Sequence, residues 1–396
     1  MNLNLLDKNN HASILIAGIL SVIIALGVAR FVFTSLLPSM LDDFLTVSFA
    51  GILAAVNFAG YLSGSVLSMF IKDINQKVIL FRIGIAICIV TTIILGITTN
   101  ETIWFVARII AGLGAALGFV VGAAIVMTKL KSENKTKAMG IHFSGIGFSI
   151  LVTDLINRAV LSYGGNWQDS WIVLSCFATI ASIYVIYILS FDKKVKQTIV
   201  KHPFDKSLFS LFVILIIMAY FTEGVGFVVQ ATFLPDIVNS LEGLEGYGSL
   251  TWTFVGLAGI PSCIIWMTLA HKYGSVNIII ITLLIQMVGI LIPTFTNNIY
   301  MNLLSGVLYG GTFVGLVGMF MNLGGKLAGQ NPVVLMGAVT TSYGLGQVVA
   351  PLYSVYFIEH YNSYDYALYL TAGIVFAGVL LLLFAKTIMT EEQKGL

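Results

Sequence analysis

Five ionisable side chains stand inside stretches of sequence that are otherwise oily: Arg30, Arg108, Asp154, Arg158 and Glu223. A buried lysine can shed its proton, whereas an arginine stays charged, so arginine at such places indicates that the cation itself is needed. A charge at mid-helix in a bilayer costs about 2.5–3.5 kcal/mol on insertion scales, so each group should face a partner or a wet cavity rather than lipid. Arg30, with Arg108, is suited to hold an anionic group. Glu223 is suited to carry a proton, with Asp154 as a second candidate. Asp154 and Arg158 stand four apart on one helix face and also read as an ion pair bracing a gate. Helical spacing puts Phe33, Thr34 and Leu37 beside Arg30, and Tyr220, Phe227 and Gln230 beside Glu223. Arg30, Phe33, Thr34, Arg108, Tyr220, Phe227 and Gln230 therefore form the expected substrate-binding set. Two alternatives stay open: Arg30 as a structural partner of Asp154 or Glu223, and Arg108 as a helix brace.

The elements that carry these residues follow from composition. The chain has 396 residues, 58% hydrophobic and 10% charged, with a mean hydropathy of +0.97. Soluble domains carry about 25% charged residues. Apolar runs of about 18 or more residues recur, each long enough to cross about 30 Å of hydrocarbon. Twelve spans are expected, at roughly 13–38, 47–71, 78–98, 102–128, 138–160, 169–190, 208–236, 248–270, 275–296, 299–323, 333–357 and 365–386. The loops are short, no soluble catalytic domain fits, and the chain is read as a non-enzyme, all-α integral membrane protein. With twelve spans, all sixteen lysines fall on the side of the N-terminus, while Asp42, Asp43, Glu101, Asp169, Glu242, Glu245, Glu359 and Asp365 fall opposite. The positive-inside rule then places both termini in the cytoplasm of a cell whose inner membrane holds the protein. Trp104, Trp167, Trp171 and Trp252 fall near outer span ends, as an interfacial belt would require. Cys88, Cys176 and Cys263 suggest neither a disulfide nor a metal site, and no cofactor is expected.

The two halves of the chain resemble each other. "GVARFVFTSLLP" (Gly27 to Pro38) aligns with "GVGFVVQATFLP" (Gly224 to Pro235) at an offset of 197, and "GAALG" (Gly114 to Gly118) aligns with "GTFVG" (Gly311 to Gly315) at the same offset. "AGYLS" in span 2 matches "AGIPS" in span 8. A basic segment, residues 191–207, reads as a cytoplasmic linker between six-helix bundles at 1–190 and 208–396. The charges are not duplicated: Arg30 maps onto Phe227, Arg108 onto Ser305, and Glu223 onto Leu26. A symmetric frame with asymmetric charge points to a ligand or coupling-ion site laid over a scaffold. Two parallel repeats are one way to build a transporter whose substrate sits near the midplane.

Twelve spans in six-plus-six form, the basic central segment and the repeat resemble the major facilitator superfamily. "RIIAGLG" (Arg108 to Gly114) is similar to its R-x-x-x-G-x-G motif in span 4. "LAHKYG" (Leu269 to Gly274) is similar to its loop motif, with His271 in the acidic place. "MFIKDINQK" (Met69 to Lys77) is an eroded first-half counterpart that keeps Asp73. "GIHFSGIGFS" (Gly140 to Ser149) resembles the glycine-rich antiporter motif but has Ile146 where that motif has proline. "GVARF" with "LLP" in span 1 is similar to the YbfB/YjiJ-like branch. The resemblance implies two pseudo-symmetric bundles, a cavity lined by spans 1, 4, 7 and 10, and alternating access. No G-x-x-x-x-G-K-[ST] motif is present, so the proton gradient is the expected drive. The expected solute is a small organic molecule, anionic or amphiphilic, with export of drugs or amphiphiles as the alternative and a non-transporting sensor less favoured. The protein is expected to act as a monomer in the lipid bilayer, with no nucleic-acid partner.

Overall fold

The computed structural model describes residues 4–71, 73–130, 135–191, 210–328 and 332–390. All but the first residue of the expected linker, 191–207, lies outside them. Among the described residues there are twelve long helices and no strand. They are α1 (His11–Leu41), α2 (Val47–Phe70), α3 (Ile74–Ile97), α4 (Glu101–Lys129), α5 (Lys135–Ser162), α6 (Trp167–Ile188), α7 (Leu211–Asn239), α8 (Gly248–Tyr273), α9 (Ser275–Thr294), α10 (Ile299–Ala328), α11 (Pro332–Tyr361) and α12 (Asp365–Thr387). Eleven are long and apolar enough to cross a membrane, and α11 is a further helix of 30 residues. In lipid a spanning segment must satisfy its own backbone, which is why such sequences fold as uninterrupted helices.

Short polar segments fix the helix ends. Asp73 of the eroded loop motif caps α3 by accepting from the Asn75 amide at 2.9 Å. Asn166 and Asp169 form a reciprocal capping box at α6. Gly274, the last residue of "LAHKYG", has φ +88° where α8 hands over to α9, a conformation that glycine adopts without strain.

The described helices group into two compact units. The first holds α1, the part of α2 from Val56 onward, and α3 to α6; the second holds α7 to α12 together with Leu45–Ala55. Each unit contains the same glycine crossing. In the first, a β-carbon on Gly112 of α4 would stand 2.0 Å from the Asn57 carbonyl oxygen of α2. In the second, a β-carbon on Gly310 of α10 would stand 2.2 Å from the Val255 carbonyl oxygen of α8. Only a residue without a side chain lets the backbones approach so closely. In the second half the tight crossing therefore falls at Gly310, one residue before the "GTFVG" spacing.

Each unit also fastens the end of its first helix to the start of its last. Trp167 Nε1 donates to Asp43 at 2.8 Å, just past the end of α1. The Tyr364 hydroxyl donates to Asp236 in the last turn of α7. Trp167 and Tyr364 stand 197 residues apart, which is the offset of the repeat. The tryptophans expected at the interface are instead interior. Trp104, Trp171 and Trp252 are fully buried; Phe44 packs with Trp104 and Trp167 at 5.1 and 5.0 Å, and Trp104 packs with Trp167 and Trp171 at 5.9 and 6.1 Å. Depth along a span does not determine whether a side chain faces lipid or the bundle interior. Exposed aromatics at these ends include Tyr163, Tyr247, Phe295, Tyr300, Tyr361 and Tyr366.

Candidate functional site

In the first unit the cations come together. Residues Ile23–Phe31 of α1 are wound as a π-helix, and so are Leu117–Val121 of α4. Such wide turns gather at functional sites. Here the wide turn carries Arg30. Gly27 in the same turn lets α5 approach: a β-carbon there would stand 2.8 Å from the Ser149 carbonyl oxygen. The Arg30 guanidinium lies over the rings of Tyr61 at 4.3 Å and Phe58 at 4.6 Å, both on α2. Arg108 lies over Phe33 at 4.4 Å and donates from Nη1 to the Ala29 carbonyl at 3.3 Å. Asn57 donates to the Arg108 carbonyl at 2.9 Å, so the arginine and the glycine of "RIIAGLG" both engage Asn57. Arg30 and Arg108 are 7% and 2% exposed, and Arg108 reaches the backbone carbonyl of the residue next to Arg30. Thr34 is buried on the same turn as Phe33.

Asp154 and Arg158 form the expected pair, Nε to Oδ2 at 3.1 Å, with Asp154 fully buried and Arg158 one-third exposed. The other Asp154 oxygen accepts from the Ser35 hydroxyl at 2.6 Å. Asn157 donates to Ser35 at 3.0 Å and accepts from Ser170 at 2.9 Å. This network ties α1, α5 and α6 together, and Ser35, Asn157 and Ser170 were not anticipated from sequence. His142 is fully enclosed near Phe119 and Phe143 and lies against Gly18.

In the second unit the set around Glu223 divides into two stripes. Tyr220 stacks between Phe320 and Tyr343, each at 4.5 Å. Phe227 packs beside Phe313 at 5.1 Å, and its carbonyl accepts from the Tyr309 hydroxyl at 2.7 Å. Those partners belong to α10 and α11. Gln230 instead turns toward α9 and α10: its Nε2 donates to the Gly289 carbonyl and to Ser305, both at 3.3 Å. Glu223, fully buried, meets the Gln286 side chain of α9. Residues seven apart repeat a helical direction, so positions 220 and 227 share one stripe and 223 and 230 the next. The repeat is visible in these contacts. Positions 33 and 108 touch in the first unit as ring and guanidinium, and positions 230 and 305, each 197 residues on, touch in the second as amide and hydroxyl. No group of three or more metal-ligating side chains occurs among the described residues.

Eleven helices long and apolar enough to span a membrane and one further long helix, with charged and aromatic side chains enclosed within each unit, define a multi-pass helical membrane protein. The family described as "Uncharacterised MFS-type transporter YbfB" matches residues 22–383, and the chain belongs to it. The chain is similar to the multidrug efflux pump SdrM of Staphylococcus aureus, at 27% identity over 52% of this chain and 46% of the pump. It is also similar to a probable vesicular acetylcholine transporter of Danio rerio, at 25% identity over 46% of this chain and 34% of that protein. Each match thus spans less than half the length of the relative.

Proposed function

We propose that this chain is a proton-driven secondary transporter of a small organic solute with an anionic group on an apolar body. The observation that carries the reading is the pair of buried guanidinium groups, Arg30 and Arg108, the second reaching the carbonyl of the residue next to the first, and both backed by Phe33, Phe58 and Tyr61. An anion between like charges relieves their repulsion, and aromatic faces accept the apolar remainder. Glu223 is the proton carrier in this reading, and the Asp154–Arg158 pair is a structural brace rather than a second proton site. The protein works by alternating access in the inner membrane with both termini cytoplasmic.

The likeness to a multidrug efflux pump supports a second reading, export of amphiphilic compounds in exchange for protons. Purified protein in proteoliposomes under an imposed pH gradient separates the two when challenged with aromatic carboxylates in one series and lipophilic cations in another. Carboxylate flux that collapses with the gradient supports the first reading; cation flux alone replaces it with the second. With the active probe, Glu223→Gln is expected to abolish gradient-driven flux while retaining counterflow, because the binding set survives and the titration is lost. Equal loss of both activities would remove the proton role from Glu223.

A further inference from the structure

The Glu223 carboxyl and the Gln286 carboxamide meet across the seam between α7 and α9, and both side chains are fully enclosed. The amide lies along α7, with Gln286 Oε1 3.6 Å from the place a β-carbon on Gly226 would occupy. Neither Glu223 oxygen, nor the Gln286 nitrogen or oxygen, has a hydrogen-bond partner among the described residues. Leaving four buried polar atoms unmatched is costly. A carboxylic acid and a primary amide can pair through two hydrogen bonds, the acid hydroxyl to the amide oxygen and one amide N–H to the acid carbonyl. Among the described residues no charged side chain pairs with Glu223. The titratable groups on the neighbouring stripe, from α7, α10 and α11, are the phenols of Tyr220, Tyr309 and Tyr343. Seven residues along, Gln230 is already bonded to Gly289 of α9 and Ser305 of α10, so the seam is fastened at one end.

We propose that Gln286 is the positioning residue for the coupling proton: the Glu223–Gln286 pair is doubly hydrogen-bonded when Glu223 is protonated and singly bonded when it is ionised. In the protonated state the Glu223 hydroxyl donates to Gln286 Oε1, and Gln286 Nε2 donates to the Glu223 carbonyl. When the proton leaves to water, Nε2 still donates to the carboxylate, and Oε1 loses its donor. The loss loosens α7 from α9 at residue 223 while the Gln230 end holds. The inference rests on Glu223 being the proton carrier.

pH-difference infrared spectroscopy on the full-length protein in lipid tests it without knowledge of the solute. The wild type should show the carbonyl band of a hydrogen-bonded carboxylic acid, and Glu223→Gln should delete it. In Gln286→Met the band should persist but move to the higher wavenumber of an acid without that partner. A band unmoved by Gln286→Met overturns the pairing while Glu223 keeps its proton. If Glu223→Gln deletes no band, the proton-carrier reading itself falls, and the pairing falls with it. Should Gln286→Met fail to fold, carbon-13 labelling of glutamine in the wild type serves instead. A labelled amide band must then appear in the same difference spectrum, and its absence overturns the proposal.

Discussion

A lysine at position 30 would keep the charge and lose the geometry. The planar guanidinium of Arg30 lies over the Tyr61 and Phe58 rings and can offer an anion two parallel donors, whereas an ammonium is compact, strongly hydrated and acts as a point charge. Losing one of two hydrogen bonds to a charged group costs about 1.5–3 kcal/mol. Arg30→Lys is therefore expected to fold while losing roughly 30-fold in affinity for the anionic probe. Binding titration of purified protein measures it, and wild-type affinity would make Arg30 a packing residue only. The charged members of this site were readable because an arginine in an apolar run is conspicuous. Phe58 and Tyr61 were not, since a helix that is apolar all round does not show in sequence which side faces the bundle. Gln286 was hidden for a related reason: a lone amide in an apolar run gives no sign of the carboxyl it meets on another helix.

The spans themselves were legible because hydrocarbon thickness imposes a length and a composition, and ends drift only where a helix continues past the apolar core, as α10 does to Ala328. The contacts that fasten one helix to another depend on partners far away in sequence, and the aromatic–carboxylate clasps are an example. Tyr364 lies just before α12. Burial, and then the negative charge of Asp236 beside it, hold its phenol well above the usual tyrosine range. A raised folded-state value means that the unfolded chain releases its proton first as pH climbs. The contribution of Tyr364 to stability is therefore whole below about pH 10, where the unfolded phenol is still protonated, and drains away above it. Tyr364→Phe is expected to cost about 1.5–3 kcal/mol at neutral pH, as loss of a bond to a charged acceptor does. It should also flatten the decline in stability above pH 10. Thermal unfolding across an alkaline pH series reads both effects. An unchanged alkaline slope in the variant would assign that decline to other groups.

At the scale of the whole molecule, charge placement orders the chain in the membrane. Helix parity puts every lysine on the side of the N-terminus and a run of carboxylates on the other. Of the strongly exposed aromatics at helix ends, Tyr163, Phe295 and Tyr300 fall on the carboxylate side and Phe70 on the lysine side, as belts at both interfaces would have it. A translocating chain keeps short lysine-rich loops in the cytoplasm, so the proposed orientation has both termini on that face. Single cysteines read this directly. Glu245 and Lys272 are both exposed and stand at opposite ends of α8. In a chain with Cys176, the exposed native thiol, changed to serine, a membrane-impermeant maleimide applied to intact cells should label Glu245→Cys. It should label Lys272→Cys only after the cells are opened. Labelling of Lys272→Cys from outside, with Glu245→Cys protected, would invert the molecule and place the lysines on the outer face.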